Sequence, residues 1–373
     1  FTPEFVEYIL EEFHVTGGQV MDPFCGSGTV IFETARRGID ASGFEINPAA
    51  YAMAKFYTLA QHSQSWRAAL VSKCEGILNK AVARSGHLAM TAPSEQYRES
   101  IANFLLMSKE LISKCLTKDE RLIMVLTACG AESSKMPSVG AAFLNAFRRL
   151  KELLICLPQV SARANLQLAD ARCCHERMTN KCDLVITSPP YVNVFNYHQN
   201  HRALMELLEF NLLEVAASEI GSNRKNRGNR FRTVIQYAIE MHQVFVGVNQ
   251  CLNPHGKAVF VVGRESSVRS VPIPNSNLVC SVAELSGFGL EGKFERSFRN
   301  RFGATIWEDI LVFNRTTTTV KTDVRTAADT AASTLDSLLP LASTSEVRSD
   351  IQEAIRSAAS ITPSPILTHP PLI

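Results

Sequence analysis

The stretch VMDPFCGSGT, Val20 to Thr29, joins a short apolar run to a glycine-rich turn. The run predicts a buried strand, and a helix is predicted to follow from about Thr29 to Arg37, where Gly38 ends it. A second predicted strand, DASGFE, ends at Glu45. Strand, glycine turn, helix and strand in this order are typical of a βαβ unit, so the stretch predicts a parallel sheet covered by helices.

The same alternation extends outward from this unit. Residues 3–13 predict a helix before it, because apolar side chains recur there at helical spacing. Further strands are predicted at 164–170, 182–188, 256–263 and 306–315, and further helices at 201–214 and 234–252. The expected fold class is therefore α/β: a doubly wound, Rossmann-like sheet of about seven strands, mainly parallel, with a helical insertion.

The composition divides the chain into three parts. Residues 51–162 hold amphipathic and apolar segments at helical spacing without a convincing strand, which predicts a domain-sized helical insertion. Residues 1–50 plus 163–315 are expected to form one discontinuous domain around the sheet. Residues 316–373 are rich in Thr, Ser, Ala and Pro, which predicts a weakly ordered tail with one or two short helices.

Charge and cysteine usage narrow the class of protein. The net charge is only +2, so nucleic-acid binding would have to come from local patches. No apolar run approaches the length of a membrane span, and no signal peptide is visible. The ten cysteines include one adjacent pair but no CxxC, which favours reduced thiols and a cytoplasmic location. Cys173, Cys174, His175 and Cys182 fit no standard zinc finger, so no metal is expected.

Chemically useful residues follow the predicted strands, where open α/β sheets bind ligands. Asp22 ends the first strand, and Gly26 and Gly28 would let the backbone approach a ligand closely, although a tight βα turn also explains them. Glu45 lies 17 residues after Gly28, where a carboxylate suits ribose hydroxyls; the alternative is a surface Glu. Asp170 ends the third predicted strand and would either meet an adenine amino group or cap a helix.

The fourth predicted strand ends in TSPPY, Thr187 to Tyr191. Two consecutive prolines fix φ and remove two backbone donors, so the chain takes one rigid shape there. A rigid surface turn is the alternative reading. A strand end beside a ligand-binding loop favours a catalytic corner instead.

The two stretches DPFCGSGT and TSPPY resemble motifs of the amino-group methyltransferases. That family methylates exocyclic amines of adenine or cytosine in DNA, and its relatives act on guanine in RNA. DPFCGSGT is similar to its S-adenosylmethionine motif, and TSPPY to its catalytic motif, [D/N/S]-P-P-[Y/F/W], whose Ser form is typical of the cytosine-N4 branch. FTPEFVEYILEEF is similar to the family helix that closes the methionine pocket. The resemblance covers residues 1–50 and about 165–315.

The resemblance implies roles for individual residues. Ser188 Oγ and the Pro189 carbonyl would accept hydrogen bonds from the target amine, Pro190 would keep the corner rigid, and Tyr191 would stack on the base. No metal takes part. The residues implied to bind S-adenosylmethionine are Thr2, Pro3, Asp22, Phe24, Gly26, Gly28, Glu45 and Asp170.

Two further groups are candidates for nucleic-acid contact. Phe195 and Tyr197 would wall the base pocket, or else pack their loop on the sheet. The loop GSNRKNRGNRFR, residues 221–232, has the composition of a phosphate-binding loop, although solvation alone also explains such a charge run. Its basic residues are Arg224, Lys225, Arg227, Arg230 and Arg232.

The expected function is a DNA methyltransferase that transfers methyl from S-adenosylmethionine to cytosine N4 in a flipped base, in a restriction–modification system with a possible partner endonuclease. Adenine N6 in DNA, guanine N2 in tRNA and a catalytically dead nucleic-acid-binding module are the alternatives. The helical insertion is a candidate for target recognition because of its position between the two motifs.

Overall fold

The computed structural model describes residues 1–13, 18–88, 97–134, 136–192, 199–222, 225–299, 303–316, 320 and 322–367. The strands are β1 (Gln19–Asp22), β2 (Asp40–Glu45), β3 (Ala164–Leu168), β4 (Cys182–Thr187), β5 (Leu252–Gly263), β6 (Ser266–Val268), β7 (Val271–Ile273), β8 (Phe288–Arg299) and β9 (Thr305–Arg315). The helices are α1 (Pro3–Glu12), α2 (Thr29–Arg36), α3 (Pro48–Phe56), α4 (Gln64–Ser85), α5 (Tyr97–Ser113), α6 (Lys118–Glu132), α7 (Val139–Cys156), α8 (Cys174–Arg177), α9 (Arg202–Leu207), α10 (Leu212–Ser218), α11 (Phe231–Cys251), α12 (Asn275–Leu285), α13 (Val324–Ser337) and α14 (Ser345–Arg356).

Seven strands form one mixed sheet in the order β3-β2-β1-β4-β5-β9-β8, and β6 and β7 form a separate pair. The first five strands of the sheet are parallel, whereas β9 runs antiparallel to both β5 and β8. The predicted strand at 306–315 is thus antiparallel and close to the sheet edge, as expected. This order is that of the Rossmann-like methyltransferase fold, so the predicted fold class is confirmed.

Helices cover both faces of the sheet. Side chains of α1 and α2, such as Ile9 and Val30, pack with Ile186 and Val261 on one face. The neighbouring side chains of the same strands point to the opposite face, where they pack against α11 to α14. A parallel sheet buried on both sides needs such double coverage, which explains why its strands read as apolar runs.

The edge strand β8 was not predicted from the sequence. Its side chains are mostly exposed, and β8 has a neighbouring strand on one side only. Phe294 and Phe298 are 58% and 46% exposed. Without a buried apolar run, the segment lacks the pattern by which the other strands were recognised.

The predicted helix at 201–214 was also wrong in one respect. Two short helices, α9 and α10, occupy this segment, and Glu209 lies between them in the left-handed region at φ +68°. A single helix cannot pass through that conformation.

The predicted helices between β2 and β3 are confirmed by α3 to α7. Their core is continuous with the sheet, because Ala41 and Leu166 of the strands pack in the same cluster as Leu78 and Met107 of the helices. Buried Arg67 adds a polar tie, since its guanidinium donates to the Leu157 carbonyl at 2.6 Å and the His62 carbonyl at 2.8 Å. The proposed boundaries of the three parts stay a prediction.

The segment after residue 316 contains two short helices, α13 and α14, as expected, but it packs on the core and is not a weakly ordered tail. Ala327, Ala331 and Leu335 form a fully buried stripe on α13, and α13 packs along α11. Small side chains at helical spacing let two helices approach closely. The small residues that suggested a low-complexity segment therefore form a surface that packs against α11. The described residues after α14 continue to Leu367, which is buried.

Candidate active site

A cavity of about 380 Å³ opens at the carboxyl ends of β1 to β4. Its volume is in the range of ligand sites. It is lined by residues of the segments 23–26, 44–53, 169–171, 188–191, 200–201 and 218–222. The glycine turn and the Ser-Pro-Pro-Tyr corner therefore share one cavity, although more than 160 residues separate them in the sequence.

The cavity brings together many of the predicted site residues and leaves others apart. The lining includes Phe24, Gly26, Glu45, Asp170, Ser188, Pro189, Pro190 and Tyr191. The lining does not include Thr2, Pro3, Asp22, Gly28, Lys225, Arg227, Arg230 or Arg232. Phe195, Tyr197 and Arg224 lie outside the described residues.

Glu45 shapes the glycine turn. Its two carboxylate oxygens accept the backbone N–H groups of Gly26 and Asn47, each at 2.8 Å. Burial raises the pKa of Glu45, while these two N–H groups act in the opposite direction. The Ile46 N–H is a third backbone donor to this carboxylate. A carboxylate offers about four acceptor sites, so it can hold the turn and still accept a hydroxyl group from a ligand.

Gly28 packs closely against the helical insertion, and the cofactor contact expected for it stays a prediction. Its φ is +91°, and a Cβ there would lie 2.8 Å from the Cα of Ala54 in α3. Gly28 is therefore needed where α2 begins against the helical insertion, and its contact is with protein backbone and not with the cavity. Gly26, at φ +51°, lines the cavity, and its contact with a cofactor stays a prediction.

Asp22 lies beneath the cavity and joins its two halves. It is 2% exposed, and its Oδ1 accepts the Phe24 N–H at 3.0 Å and the Thr187 hydroxyl at 2.6 Å. Thr187 precedes Ser188, so this one carboxyl connects the glycine turn after β1 to the corner after β4. Burial is the main reason that the pKa of Asp22 rises to about 7.

This pKa predicts a pH-dependent stability. The unfolded chain releases the Asp22 proton near pH 3.8, whereas the folded protein holds it to about pH 7. The stabilisation that the Asp22 carboxyl contributes is fully present below the unfolded-state pKa of 3.8. It is lost as the pH rises through the folded-state pKa of about 7. Asp22→Asn cannot titrate, so its unfolding free energy should rise relative to wild type by on the order of a few kcal/mol between about pH 4 and pH 7. Denaturant unfolding across that window measures this, and parallel curves would contradict it.

Asp170 lines the cavity but is held by Arg172. Its carboxylate forms a buried ion pair with the guanidinium, at 2.5 Å from Oδ2 and 2.9 Å from Oδ1, and accepts the Arg172 N–H at 3.0 Å. Arg172 also donates to the carbonyls of Ser364 and Pro365 at 2.8 and 3.0 Å. The capping role that the sequence left open is thus present, and the adenine contact stays a prediction.

The corner after β4 is fixed by contacts to neighbouring strands. The Ser188 hydroxyl donates to the Val261 carbonyl of β5 at 3.0 Å. Because its hydrogen is used there, its lone pairs are free to accept. The Tyr191 hydroxyl donates to Glu308 of β9 at 2.5 Å, and its ring lies against Gly263, where a Cβ would be 3.3 Å away.

The electrostatic character of the cavity is acidic. Glu45 and Glu219 are among its described lining residues, the charge of Asp170 is compensated by Arg172, and none of the described lining residues is a Lys or Arg. Such a lining disfavours phosphate-bearing ligands and suits a cation with hydroxyl groups. Glu219 was missed in the sequence, because it follows a short helix and matches no motif.

His201 is a second missed residue in the lining. Its Nδ1 lies 2.5 Å from a carboxylate oxygen of Glu132 at the end of α6, so the insertion contacts the site directly. Asn47 was recognisable: Asn-Pro before a helix is typical of a cap, and its side chain accepts the N–H groups of Ala49 and Ala50.

Two basic residues of the predicted phosphate-binding loop contact α14 and the segment that follows it. Arg232 forms an ion pair with Glu353 of α14, and Lys225 donates to the Thr362 carbonyl at 3.2 Å. Arg227 and Arg230 are exposed. Contact between this loop and nucleic acid stays a prediction that now rests chiefly on the two exposed arginines.

The described part of the chain lacks two other kinds of feature, a metal site and a membrane span. No group of three or more His, Cys, Asp or Glu side chains there is arranged to hold a metal ion. No helix there has both the length and the apolar character needed to cross a membrane. All ten cysteines are free thiols.

Comparison with known proteins adds a short sequence match. No family model matches the chain. The type II methyltransferase M.MjaII of Methanocaldococcus jannaschii is 40% identical over 48 residues, which are 13% of this chain and 9% of that relative. Among solved structures, TrmN from Thermus thermophilus aligns with 84% of this chain and 49% of its own length, at 13% identity and a TM-score of 0.33.

A methyltransferase from Methanosarcina mazei that depends on S-adenosylmethionine aligns with 83% of this chain and 97% of its own, at 9% identity and a TM-score of 0.37. The rRNA methyltransferase aviRa from Streptomyces viridochromogenes aligns with 84% and 85%, at 11% identity and a TM-score of 0.33. The chain is thus similar over a short stretch to a type II methyltransferase, and the strand order of its own sheet carries the assignment of its fold.

Proposed function

We propose that the protein is an S-adenosylmethionine-dependent methyltransferase acting on an exocyclic amine of a nucleobase, with cytosine N4 in DNA as the first candidate. The observation that carries this proposal is the single cavity shared by the glycine turn and the Ser-Pro-Pro-Tyr corner. The short match to a type II methyltransferase supports methyl transfer as the reaction.

The residues present fit the cofactor. S-adenosylmethionine supplies an activated methyl group on a sulfonium, and it carries a net positive charge. Glu45 would accept its ribose hydroxyls, and the acidic lining favours a cation over a phosphate. Phe24 and Gly26 line the same part of the cavity, where Gly26 leaves room for close approach.

The corner supplies the groups that act on the substrate. An exocyclic amine is a weak nucleophile, because its lone pair is delocalised into the base ring. Ser188 Oγ and the Pro189 carbonyl would accept the two amine hydrogens and favour a pyramidal nitrogen as positive charge develops. The Ser188 bond to Val261 supports this role, since it fixes the hydroxyl with its lone pairs available. The double proline keeps the carbonyl in place, so little ordering is needed during reaction.

The substrate requires one further step. An amine stacked inside a duplex cannot enter a cavity of this kind, so the base would be flipped out and stacked on Tyr191. The Ser form of the motif favours cytosine N4, with adenine N6 in DNA and guanine N2 in tRNA as the alternatives. A restriction–modification role with a partner endonuclease belongs to the same proposal.

The test is direct identification of the product. The protein is incubated with methyl-labelled S-adenosylmethionine and, separately, with DNA and tRNA, and the digested nucleosides are identified by mass. We expect N4-methylcytosine from DNA. N6-methyladenine would move the assignment to the adenine branch, N2-methylguanosine from tRNA would overturn the DNA proposal, and no labelled nucleoside would overturn the proposed activity.

The exposed loop cations give a separate prediction. Replacing Arg227 and Arg230 by Ala should lower the steepness with which DNA affinity falls as salt rises, by about 1 to 2 in the logarithmic slope, because each lost phosphate contact removes about 0.9. Arg325→Ala/Arg348→Ala removes the same charge from exposed positions on α13 and α14. An equal change in both variants would mean that the loop arginines only contribute to net charge.

A further inference from the structure

The ring of Tyr191 is held by two strands that do not belong to the recognised motifs. Its hydroxyl donates to Glu308 Oε1 of β9 at 2.5 Å. One side of the ring lies against Gly263 at the end of β5, where an added Cβ would come within 3.3 to 3.4 Å of three ring carbons. The ring therefore has both its plane and its tip restrained by the sheet.

Glu308 is unusual for a carboxylate in a strand. It is 5% exposed, and a buried carboxylate is costly unless it is paired and hydrogen-bonded. Its Oε2 accepts the Arg296 Nε at 2.6 Å, and Arg296 lies directly opposite it in the register of β8 with β9. The two oxygens of Glu308 thus serve two partners, Tyr191 on one side and Arg296 on the other.

Arg296 is itself restrained. Its guanidinium carbon lies 4.4 Å from the centroid of the Phe5 ring in α1, which is a cation–π contact. A series of contacts therefore runs from the catalytic corner through the antiparallel edge of the sheet to the first helix. Its members, in order, are Tyr191, Glu308, Arg296 and Phe5. Neither Glu308 nor Arg296 is among the described residues that line the cavity. Their hydrogen bonds reach the cavity lining through Tyr191.

We propose that Glu308 is a positioning residue, which orients the Tyr191 ring so that it receives a flipped base in one fixed plane. This rests on the proposed function, because the base is what the ring would receive. The physical reason is rotational freedom: without an acceptor at the tip, the ring can turn about its side-chain bonds, and stacking must then restore its order. Arg296 compensates the charge of Glu308 and holds its second oxygen.

The experiment is a double-mutant cycle with Tyr191→Phe and Glu308→Ala. Tyr191→Phe keeps the ring and removes the hydrogen bond. Each single variant should lower kcat/KM for the nucleic-acid substrate about tenfold, since a hydrogen bond to a charged group is lost. In the Tyr191→Phe background, adding Glu308→Ala should lower kcat/KM by a further factor of less than about three, because the hydrogen bond between the two side chains is already absent. Fully additive effects would overturn the proposal.

Two variants separate positioning from general damage. Glu308→Gln keeps an acceptor oxygen and should recover most of the loss, with kcat/KM within about threefold of wild type. Glu295→Ala removes a carboxylate from the same β8–β9 hairpin, where Glu295 pairs with Arg264, and should have no such effect. If Glu308→Ala lowered the affinity for S-adenosylmethionine as much as it lowered kcat/KM, its role would be structural and the proposal wrong.

A measurement on the free protein tells this proposal apart from the proposed function. In protein labelled with fluorotyrosine, the Tyr191 fluorine signal, assigned by its loss in Tyr191→Phe, should broaden or shift in Glu308→Ala and stay near its wild-type position in Glu308→Gln and Glu295→Ala. An unchanged signal in Glu308→Ala would overturn the proposal even if methylation is found. A changed signal without any labelled nucleoside would leave the restraint on Tyr191 established and reject the proposed reaction.

Discussion

Ser188→Ala should lower the turnover of methyl transfer by about a hundredfold or more while leaving the affinity for S-adenosylmethionine within about twofold. The Ser188 hydroxyl donates its hydrogen to the Val261 carbonyl, which holds its oxygen in position. The variant therefore removes an oxygen that is already placed to accept a hydrogen bond from the target amine. Removing one such preorganised group typically costs two to three orders of magnitude in rate. Single-turnover methylation and cofactor titration by calorimetry measure the two quantities separately.

Ser337→Ala is a suitable control for this experiment. It removes the same hydroxyl from an exposed position at the end of α13, far from the motifs in the sequence. A Ser188→Ala enzyme with the turnover of wild type would reject the acceptor role. A loss confined to cofactor affinity would place Ser188 in the cofactor site and not at the target amine.

Arg172→Met should lower the unfolding free energy by about 3 to 5 kcal/mol, the usual range for removing one partner of a buried ion pair. The variant leaves the Asp170 carboxylate buried without its cation, and both side chains of the pair are 1% exposed. It also leaves the Ser364 and Pro365 carbonyls without their donor. Denaturant unfolding gives the loss, and limited proteolysis should show earlier cleavage near residue 364.

Arg163→Met is the matched control, because it removes an ion pair to Asp40 from an arginine whose side chain is 85% exposed. Exposed pairs are worth about 0 to 1 kcal/mol, so this variant should stay close to wild type. Equal losses in the two variants would mean that burial does not set the strength of the Asp170–Arg172 pair.

Local patterns in the sequence were sufficient for much of the fold. The apolar runs and the glycine turn predicted the parallel strands and α2, because these elements are determined by neighbouring residues. The same holds for the rigid corner at Pro189 and Pro190, whose geometry is fixed by proline itself. These predictions needed no knowledge of which strands are adjacent.

Other features depend on contacts between distant segments, which a single sequence does not contain. Gly28 looks like a ligand-binding glycine until Ala54 is found against it. Arg172 looks like a surface residue after a strand, yet it is buried because residues 364 and 365 cover it. Glu308 lies in an apolar strand with no motif around it, and only the sheet order brings it to Tyr191.

The packing of α13 and of residues 362–367 has a consequence for the order in which contacts form during folding. Arg172 finds its carbonyl partners 192 and 193 positions later in the chain. Contacts of such large sequence separation form late in folding, because the intervening chain must be closed into a loop first. During synthesis, the segment that holds Arg172 leaves the ribosome after every strand of the sheet. A chain stopped before residue 360 would therefore carry all the motif residues and still lack the two carbonyls that hold Arg172, the ion-pair partner of Asp170 in the cavity lining.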